Sequence, residues 1–119
     1  MAKDDRLAAR RRGQRAETLA LIWLSLCGWR LRARDLRTPV GELDLVFTRG
    51  STLLVVEVKH RATRTAAAEA IRPDQQDRIR RATAWFLAGQ PQFSHYQVRF
   101  DALLVSPGGW PQHIRNAWD

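Results

Sequence analysis

Hydrophobic positions in the first third of the chain repeat first at the spacing of a helix and then at the spacing of a strand. Residues 13–27 are rich in Ala and Leu, and Gly28 follows where a helix C-terminal glycine is expected, so a helix is predicted there. Residues 29–35 alternate apolar side chains with arginines, which predicts a half-buried strand with a basic outer face. A turn is predicted at residues 37–39. Residues 1–12 have no apolar periodicity and are predicted to form a flexible basic arm.

The middle of the chain has the pattern of two strands joined by a turn. Residues 42–48 and 53–60 flank the segment Arg-Gly-Ser-Thr, and this spacing predicts an antiparallel hairpin. The second strand reads LLVVEVK and is apolar on both sides until its end, which is typical of a central strand. Pairing Thr48 with Leu53 would close the hairpin through a four-residue loop.

The last part of the chain predicts one more helix and one or two further strands. Residues 62–71 are alanine-rich but uncapped, and we predict a mobile loop. Residues 73–88 begin with proline and end before a glycine, so a second helix is predicted there. Strands are predicted at residues 96–105 and 112–118, the latter after the Pro-Gly-Gly turn of residues 107–109. The buried row of the second helix is predicted to be Ile79, Ala82 and Phe86.

This order of elements predicts an α/β fold with an αβββαβ core, in which a central mixed sheet is flanked by helices. The 119 residues suffice for a single domain, assigned to residues 13–119. Lys and Arg number 20 against 12 Asp and Glu, which gives a net charge of +8. Most of these cations are arginines, whose forked donors suit phosphate, although a GC-rich genome would also enrich arginine. Charge alone therefore indicates a polyanionic partner without locating its site.

Cysteine content and hydropathy exclude two classes of protein. The single cysteine, Cys27, cannot form an internal disulfide, and no stretch resembles a signal peptide, so a cytoplasmic protein is predicted. The longest apolar run, residues 19–27, is about half of the ~20 residues needed to cross a bilayer. No membrane partner is therefore predicted.

Candidate chemistry lies on the hairpin, where charged residues interrupt apolar strands. Period two places Glu42, Asp44 and Val46 on one face of the first strand and three apolar residues on the other. In the second strand, Glu57 and Lys59 share a face while Val58 points away. If the two residue numbers of each cross-strand pair sum to 101, Asp44 lies directly opposite Glu57. A register in which these numbers sum to an even value would separate the two acids.

Two carboxylates this close repel each other, and a hard divalent ion such as Mg²⁺ or Mn²⁺ would relieve the repulsion. The predicted ligands are Asp44, Glu57 and the Val58 carbonyl, with Lys59 orienting the attacking water. Glu17 lies on the first helix in the row predicted to face the sheet, where it could reach the metal or its water. This set of groups indicates phosphodiester hydrolysis.

These residues also match a known family. The chain resembles the YraN-like proteins, uncharacterised protein family 0102, a branch of the PD-(D/E)XK nuclease superfamily that is similar to Holliday-junction resolvases. The resemblance implies a restriction-endonuclease-like fold, Asp44 and Glu57 as metal ligands, Lys59 as catalytic lysine and Glu17 as an auxiliary acid. The segments that carry it are GQRAE (13–17), GELDL (41–45), VEVKHR (56–61), RFD (99–101) and IRNAW (114–118).

Two positions depart from the family pattern. Ala16 replaces a glycine that usually precedes the helical glutamate, a change with little bearing on chemistry. Gln75 stands where a lysine is common, so that charge is missing, but its amide could still reach a substrate phosphate. The candidate nucleic-acid-binding residues are Arg61, Gln75 and Arg78.

Each candidate also has a purely structural interpretation. Asp44 could be a solvated residue on an exposed sheet face, and Glu57 with Lys59 a surface pair of little consequence. Glu42 is expected to pair with Arg61 or Arg37. Ion pairing within the sheet is expected for Arg99 with Asp101, and core or interface positions rather than base stacking are expected for Trp110 and Trp118.

Two functions of different class follow from the sequence. The first is a metal-dependent endonuclease that acts on DNA, including branched or structured DNA in recombination or repair. The second is a binding module that keeps the nuclease fold without cutting. The clustered acids favour the first, because carboxylates repel a phosphate backbone unless a metal intervenes. A homodimer whose two sites cut both strands, as junction resolvases do, is a third hypothesis.

Overall fold

The computed structural model describes residues 3–108 and 110–118 and contains a five-stranded sheet with helices on both faces. The strands lie in the order β1-β2-β3-β4-β5, and every neighbouring pair is antiparallel except β3 with β4. This is the predicted restriction-endonuclease-like core. The elements are α1 Lys3–Leu26, β1 Arg30–Thr38, β2 Gly41–Arg49, β3 Thr52–His60, α2 Arg64–Glu69, α3 Pro73–Ala88, a 3₁₀ turn Pro91–Phe93, β4 Gln97–Val105 and β5 Gln112–Trp118.

The sheet separates two hydrophobic clusters, because successive side chains of each strand point to opposite faces. One cluster is closed by α1 through Ala16, Ala20 and Leu24. The other cluster is closed by α2 and α3, and it includes the predicted row Ile79, Ala82 and Phe86. The described residues contain no helix that is both long enough and apolar enough to cross a membrane.

Helix α1 starts at Lys3, well before the predicted start at Gly13. Asp4 and Asp5 lie in its first turn, where acids stabilise the positive end of a helix, and the Ala, Leu and Arg residues that follow are good helix formers. Residues 3–12 are therefore helical without an apolar row, which is why periodicity missed them. The flexibility of this segment stays a prediction, and Met1 and Ala2 lie outside the described residues.

The C-terminus of α1 follows the sequence prediction. Gly28 has φ +90° and donates its amide to the Ser25 carbonyl, while the Trp29 amide donates to the Leu24 carbonyl. This pair of bonds is a Schellman motif, which needs a left-handed residue at the position of Gly28.

The prediction of a loop at residues 62–71 is wrong, because this segment contains helix α2. The missed signal is Thr63, whose side-chain oxygen accepts a hydrogen bond from the Ala66 amide at 3.0 Å and caps the helix. Ala67 is completely buried in the hydrophobic cluster that α2 and α3 share, and α2 packs on β3 and β4. Packing of a small residue against the core therefore stabilises a helix too short to be stable alone.

The predicted hairpin and its register are confirmed. Thr48 lies opposite Leu53, and the ladder continues to Leu45 opposite Val56. Arg49 and Thr52 also pair, so the connection is a two-residue turn rather than the predicted four-residue loop. Strand β1 runs on to Thr38, through most of the turn predicted at residues 37–39.

The second half of the chain matches the remaining predictions closely. Helix α3 has the predicted bounds, β4 begins one residue later than predicted, and the fifth strand forms at the predicted residues 112–118. Trp118 is buried and stacks on Phe100 with ring centroids 5.5 Å apart, as expected of a core tryptophan. Gly109, the last residue of the predicted turn at 107–109, lies outside the described residues.

Strand β5 is held to β4 by a buried network around Asp101. The Arg99 guanidinium donates two hydrogen bonds of 2.9 Å to the Asp101 carboxylate, which confirms the predicted ion pair. His113 Nε2 lies 2.6 Å from Asp101 Oδ2, and the backbone N–H of Asn116 donates to Oδ1 at 2.9 Å. Burial of Asp101 would raise its pKa, but these hydrogen bonds outweigh burial and hold the pKa below its ordinary value.

Replacing Asp101 with asparagine is expected to lower the free energy of unfolding by about 2–3 kcal/mol, because Arg99 loses a buried counter-charge. Urea denaturation at neutral pH measures the change. Asp77→Asn is the matched control, since Asp77 pairs with Arg80 at an exposed i,i+3 position and should change stability by less than about 0.5 kcal/mol. Equal effects of the two substitutions would contradict a structural role for the network.

Candidate active site

The candidate active site lies where β2 and β3 separate. Their ladder ends at Leu45 and Val56, and the next interaction uses a side chain: the Val58 amide donates to Asp44 Oδ2 at 2.9 Å. The alternation of β2 is interrupted at this point. Leu43 packs in the α3-side cluster with Val46, whereas it was predicted to share a face with Leu45. The carboxylate thus replaces a backbone acceptor and ends the regular pairing of the two strands.

Glu57 and Lys59 lie side by side on β3, as predicted. Lys59 Nζ is 3.1 Å from Glu57 Oε1, and their side chains are only 13% and 6% exposed, respectively. Gln75 of α3 also donates to Glu57 Oε1, at 2.9 Å. The Gln75 amide was predicted to be able to reach a substrate phosphate, but in the structure it donates to the site's own acid, because α3 packs on β2, the strand next to β3.

A second group of acids meets on the α1 side of Asp44. Glu17, Asp35 and Asp44 each offer one carboxylate oxygen, and these oxygens all lie within 4.8 Å of one another. Glu17 is buried, as its helical row predicted, together with Ala16 and Ala20. The Asp44 charge also raises the pKa of Glu57, so Asp44 interacts with both groups of acids.

Asp35 is the functional candidate that the sequence reasoning missed. It has φ +50°, a left-handed conformation that aspartate adopts more readily than most residues. The available signal was an acid interrupting a strand otherwise rich in arginine. Its position next to Glu17 depends on how α1 packs across β1, which the local sequence does not encode.

Burial and mutual repulsion make these acids hard to ionise. Burial raises the pKa of Glu17 from 4.5 to about 8, and Asp35 and Asp44 add to the effect. Burial also raises the pKa of Glu57 to about 8, and the Asp44 charge raises it further. The Lys59 ammonium acts in the opposite direction and lowers this pKa. The pKa of Asp44 is raised by burial as well, although the Val58 amide and Lys59 counteract it. The site therefore holds protons unless a cation replaces them.

Arginines line the cavities around these acids. The predicted residues Arg61, Gln75 and Arg78 all border a cavity of about 760 Å³ that contains Asp44, Glu57 and Lys59. Two adjoining cavities, which also reach Asp44, are bordered by Arg10 and Arg12 of α1. These two arginines belong to the segment predicted to be a mobile arm. The sequence did not predict that they border the site, and the structure places them there.

Two residues at the start of β2, Gly41 and Glu42, have structural roles next to the site. A Cβ on Gly41 would lie 2.9 Å from the Arg78 carbonyl oxygen, so only glycine lets β2 pass this close to α3. Glu42 follows it and pairs with Arg37 at 3.7 Å on the surface, one of the two partners expected for it.

Comparison with known proteins identifies the family to which the chain belongs. The sequence profile of "Uncharacterised protein family UPF0102" matches residues 16–105, which include every acid of the site. A UPF0102 protein of Parvibaculum lavamentivorans is 53% identical over 112 residues, covering 94% of this chain and 84% of the relative. UPF0102 proteins of Maricaulis maris and Paramagnetospirillum magneticum are each 47% identical, covering 95% and 93% of this chain and 89% of each relative. The chain therefore belongs to the uncharacterised protein family UPF0102.

Proposed function

We propose that this protein is a cytoplasmic, Mg²⁺- or Mn²⁺-dependent endonuclease that hydrolyses phosphodiester bonds of DNA, with branched or structured DNA as its substrate. One observation carries the proposal: Asp44, Glu57 and Lys59 meet at the end of the β2–β3 ladder, inside a cavity bordered by arginines. A pure binding surface would gain nothing from buried acids beside a phosphate backbone.

The residues present fit a hard divalent cation. Carboxylate oxygens are the ligands that Mg²⁺ and Mn²⁺ prefer, and one oxygen each of Glu17, Asp35 and Asp44 lie within 4.8 Å of one another. Glu57 interacts electrostatically with the same Asp44. Asp44, Glu17 and Glu57 would hold the ion, with Asp35 joining them and the Val58 carbonyl as a further ligand. When bound, the ion supplies Lewis-acid chemistry that withdraws charge from phosphate oxygens and makes water a stronger nucleophile.

The protein's own side chains position the reactants. Lys59 is held against Glu57, so its ammonium is fixed at the cavity wall, where it can orient water and stabilise charge that develops on phosphate. Arg61 and Arg78 border the same cavity and can bind flanking phosphates. Because Lys59 lies on β3, Arg61 directly after it and Arg78 on α3, these groups are in place before substrate binds.

A binding module that keeps the nuclease fold is the second candidate. The observation that favours it is the Gln75 amide, which together with Lys59 satisfies Glu57 Oε1 within the protein. In that case the cavity binds nucleic acid through its arginines, and the acids stay protonated.

A cleavage assay distinguishes the two functions. Labelled single-stranded, duplex and four-way-junction DNA are each incubated with Mg²⁺, with Mn²⁺ and with chelator. The endonuclease predicts products that require metal and that disappear with Lys59→Ala. Metal-independent binding without product on any substrate would instead support the module.

Arg10 and Arg12 provide a test of the substrate path. Replacing both with glutamine is expected to weaken DNA binding about tenfold or more, and to reduce the slope of log K against log salt by about 2, because two phosphate contacts are lost. Fluorescence anisotropy in chelator measures binding without cleavage. The control removes two other arginines of α1, Arg11 and Arg15, which border a separate hollow beside Leu19. Equal losses in both double variants would mean that only net charge matters.

A further inference from the structure

The outer side of α1 carries an apolar surface that no part of the described chain covers. Leu19 and Ile22 are each 52% exposed, Trp23 is 55% exposed and Leu26 is 81% exposed. Trp110, 88% exposed, lies across from them, and together they form a cleft of about 500 Å³. We call these five residues the α1 apolar face. The other described residues that border the cleft are Leu103, Pro111 and His113.

The composition and size of this face are those of a protein interface. No Asp, Glu, Lys or Arg is among the described residues that border the cleft. The exposed side-chain area of the five residues is on the order of 600 Å², at the upper end for the largest apolar patch of a monomer. It also supplies most of the roughly 800 Å² that each partner buries in a standard interface, and tryptophan is the residue most enriched at interface hot spots.

The spacing of the face points to a second copy of this chain. Leu19, Ile22, Trp23 and Leu26 follow the i, i+3, i+4, i+7 pattern, so they form one stripe along α1. A two-fold interface uses the same patch on both partners and therefore needs no complementary charge, which agrees with the uncharged lining of the cleft. We propose that two copies of this protein associate through the α1 apolar face as a two-fold dimer.

The charges along α1 indicate the orientation of the two helices. Arg11 and Arg15 border the hollow that continues from Leu19 towards the N-terminus of the helix. A parallel pair would place these arginines against their counterparts, and like charges at close range are unfavourable. An antiparallel pair that crosses at Ile22 and Trp23 keeps the arginines at opposite ends and brings Leu19 of one copy near Leu26 of the other. This dimer does not depend on the proposed nuclease activity, because Glu17 faces the sheet from the other side of the helix.

Analytical ultracentrifugation of the full chain over a range of concentrations tests the proposal. The unmodified protein is expected to sediment as a dimer, and Trp23→Glu to raise the dissociation constant at least about hundredfold, since the charge enters a two-fold interface twice. Trp85→Glu is the matched control, because Trp85 is 49% exposed on α3, away from the cleft, and should leave the dimer intact. A monomeric unmodified protein, or equal dissociation in both variants, overturns the proposal.

A cross-link tests the crossing point without adding charge. In a Cys27→Ser background, Ile22→Cys places one thiol near the two-fold axis of each copy and should give a covalent dimer on mild oxidation. Leu7→Cys, on the same helix and 42% exposed, should not cross-link because its counterpart lies at the far end of an antiparallel pair. Efficient cross-linking through Leu7, or none through Ile22, would overturn the antiparallel arrangement even if Trp23→Glu fails to fold.

Discussion

Replacing Asp44 with asparagine is expected to lower the rate of metal-dependent DNA cleavage by at least about a thousandfold. Asparagine has almost the same shape, and its side-chain oxygen can still accept the hydrogen bond from the Val58 amide. The substitution therefore keeps the separation of β2 and β3. It removes only the charge of Asp44, the acid that interacts with both groups. Single-turnover cleavage of a labelled DNA junction measures the rate.

Folding of the Asp44→Asn variant must be established before the loss of rate is interpreted. Its thermal midpoint is expected to be unchanged or raised, because the substitution removes repulsion between buried carboxylates. Asp77→Asn makes the same chemical change on the surface of α3 and should cleave at the unmodified rate. Full cleavage activity in a correctly folded Asp44→Asn protein would eliminate this site as the catalytic centre.

Without metal, the protein is expected to lose stability as the pH rises from about 4.5 towards about 8. Glu17 and Glu57 have a pKa of about 8 in the folded state against 4.5 ordinarily, so the folded state holds protons that the unfolded state releases. Unfolding then releases protons, and its free energy falls with pH. The stabilising effect is fully present below the ordinary pKa and is lost as the pH passes the raised values.

Divalent metal is expected to reverse this trend. Mg²⁺ or Mn²⁺ must displace those protons, so the rise in thermal midpoint on adding metal should be small at pH 5 and large at pH 8. Each proton displaced should make the apparent affinity about tenfold stronger per pH unit across this range. Thermal unfolding in chelator and in metal, repeated with Glu57→Gln, measures the effect. A midpoint that does not change with pH or metal would contradict the proposed cation site.

The core of the candidate site could be predicted because its determinants are local. Period two on each strand and a short turn between them decide which side chains of β2 and β3 can meet, and the pairing of Thr48 with Leu53 follows from those two facts. Glu57 beside Lys59 is a consequence of residue spacing alone. Helix α3 could be predicted equally well, because the proline at its start and the glycine after its end are signals contained in the segment itself.

The errors in prediction arose where distant contacts outweigh local pattern. Helix α2 forms because Ala67 is buried in the core against β3 and β4, although the six residues of the helix carry no periodic signal. Leu43 turns to the α3-side cluster because Asp44 takes the Val58 amide, and alternation alone could not anticipate this interruption. Contacts of this kind add stability only after the sheet has assembled.

The sequence by itself determined the class of fold, the hairpin, and the identity of Glu17, Asp44, Glu57 and Lys59 as candidates, because each follows from residue type and short-range spacing. Only the tertiary structure decided that Asp35 joins Glu17, that arginines of α1 border the site, and that the described residues leave the apolar outer side of the same helix uncovered. The physical reason is that the packing of α1 across the sheet joins residues far apart in the chain, and no local pattern encodes that geometry.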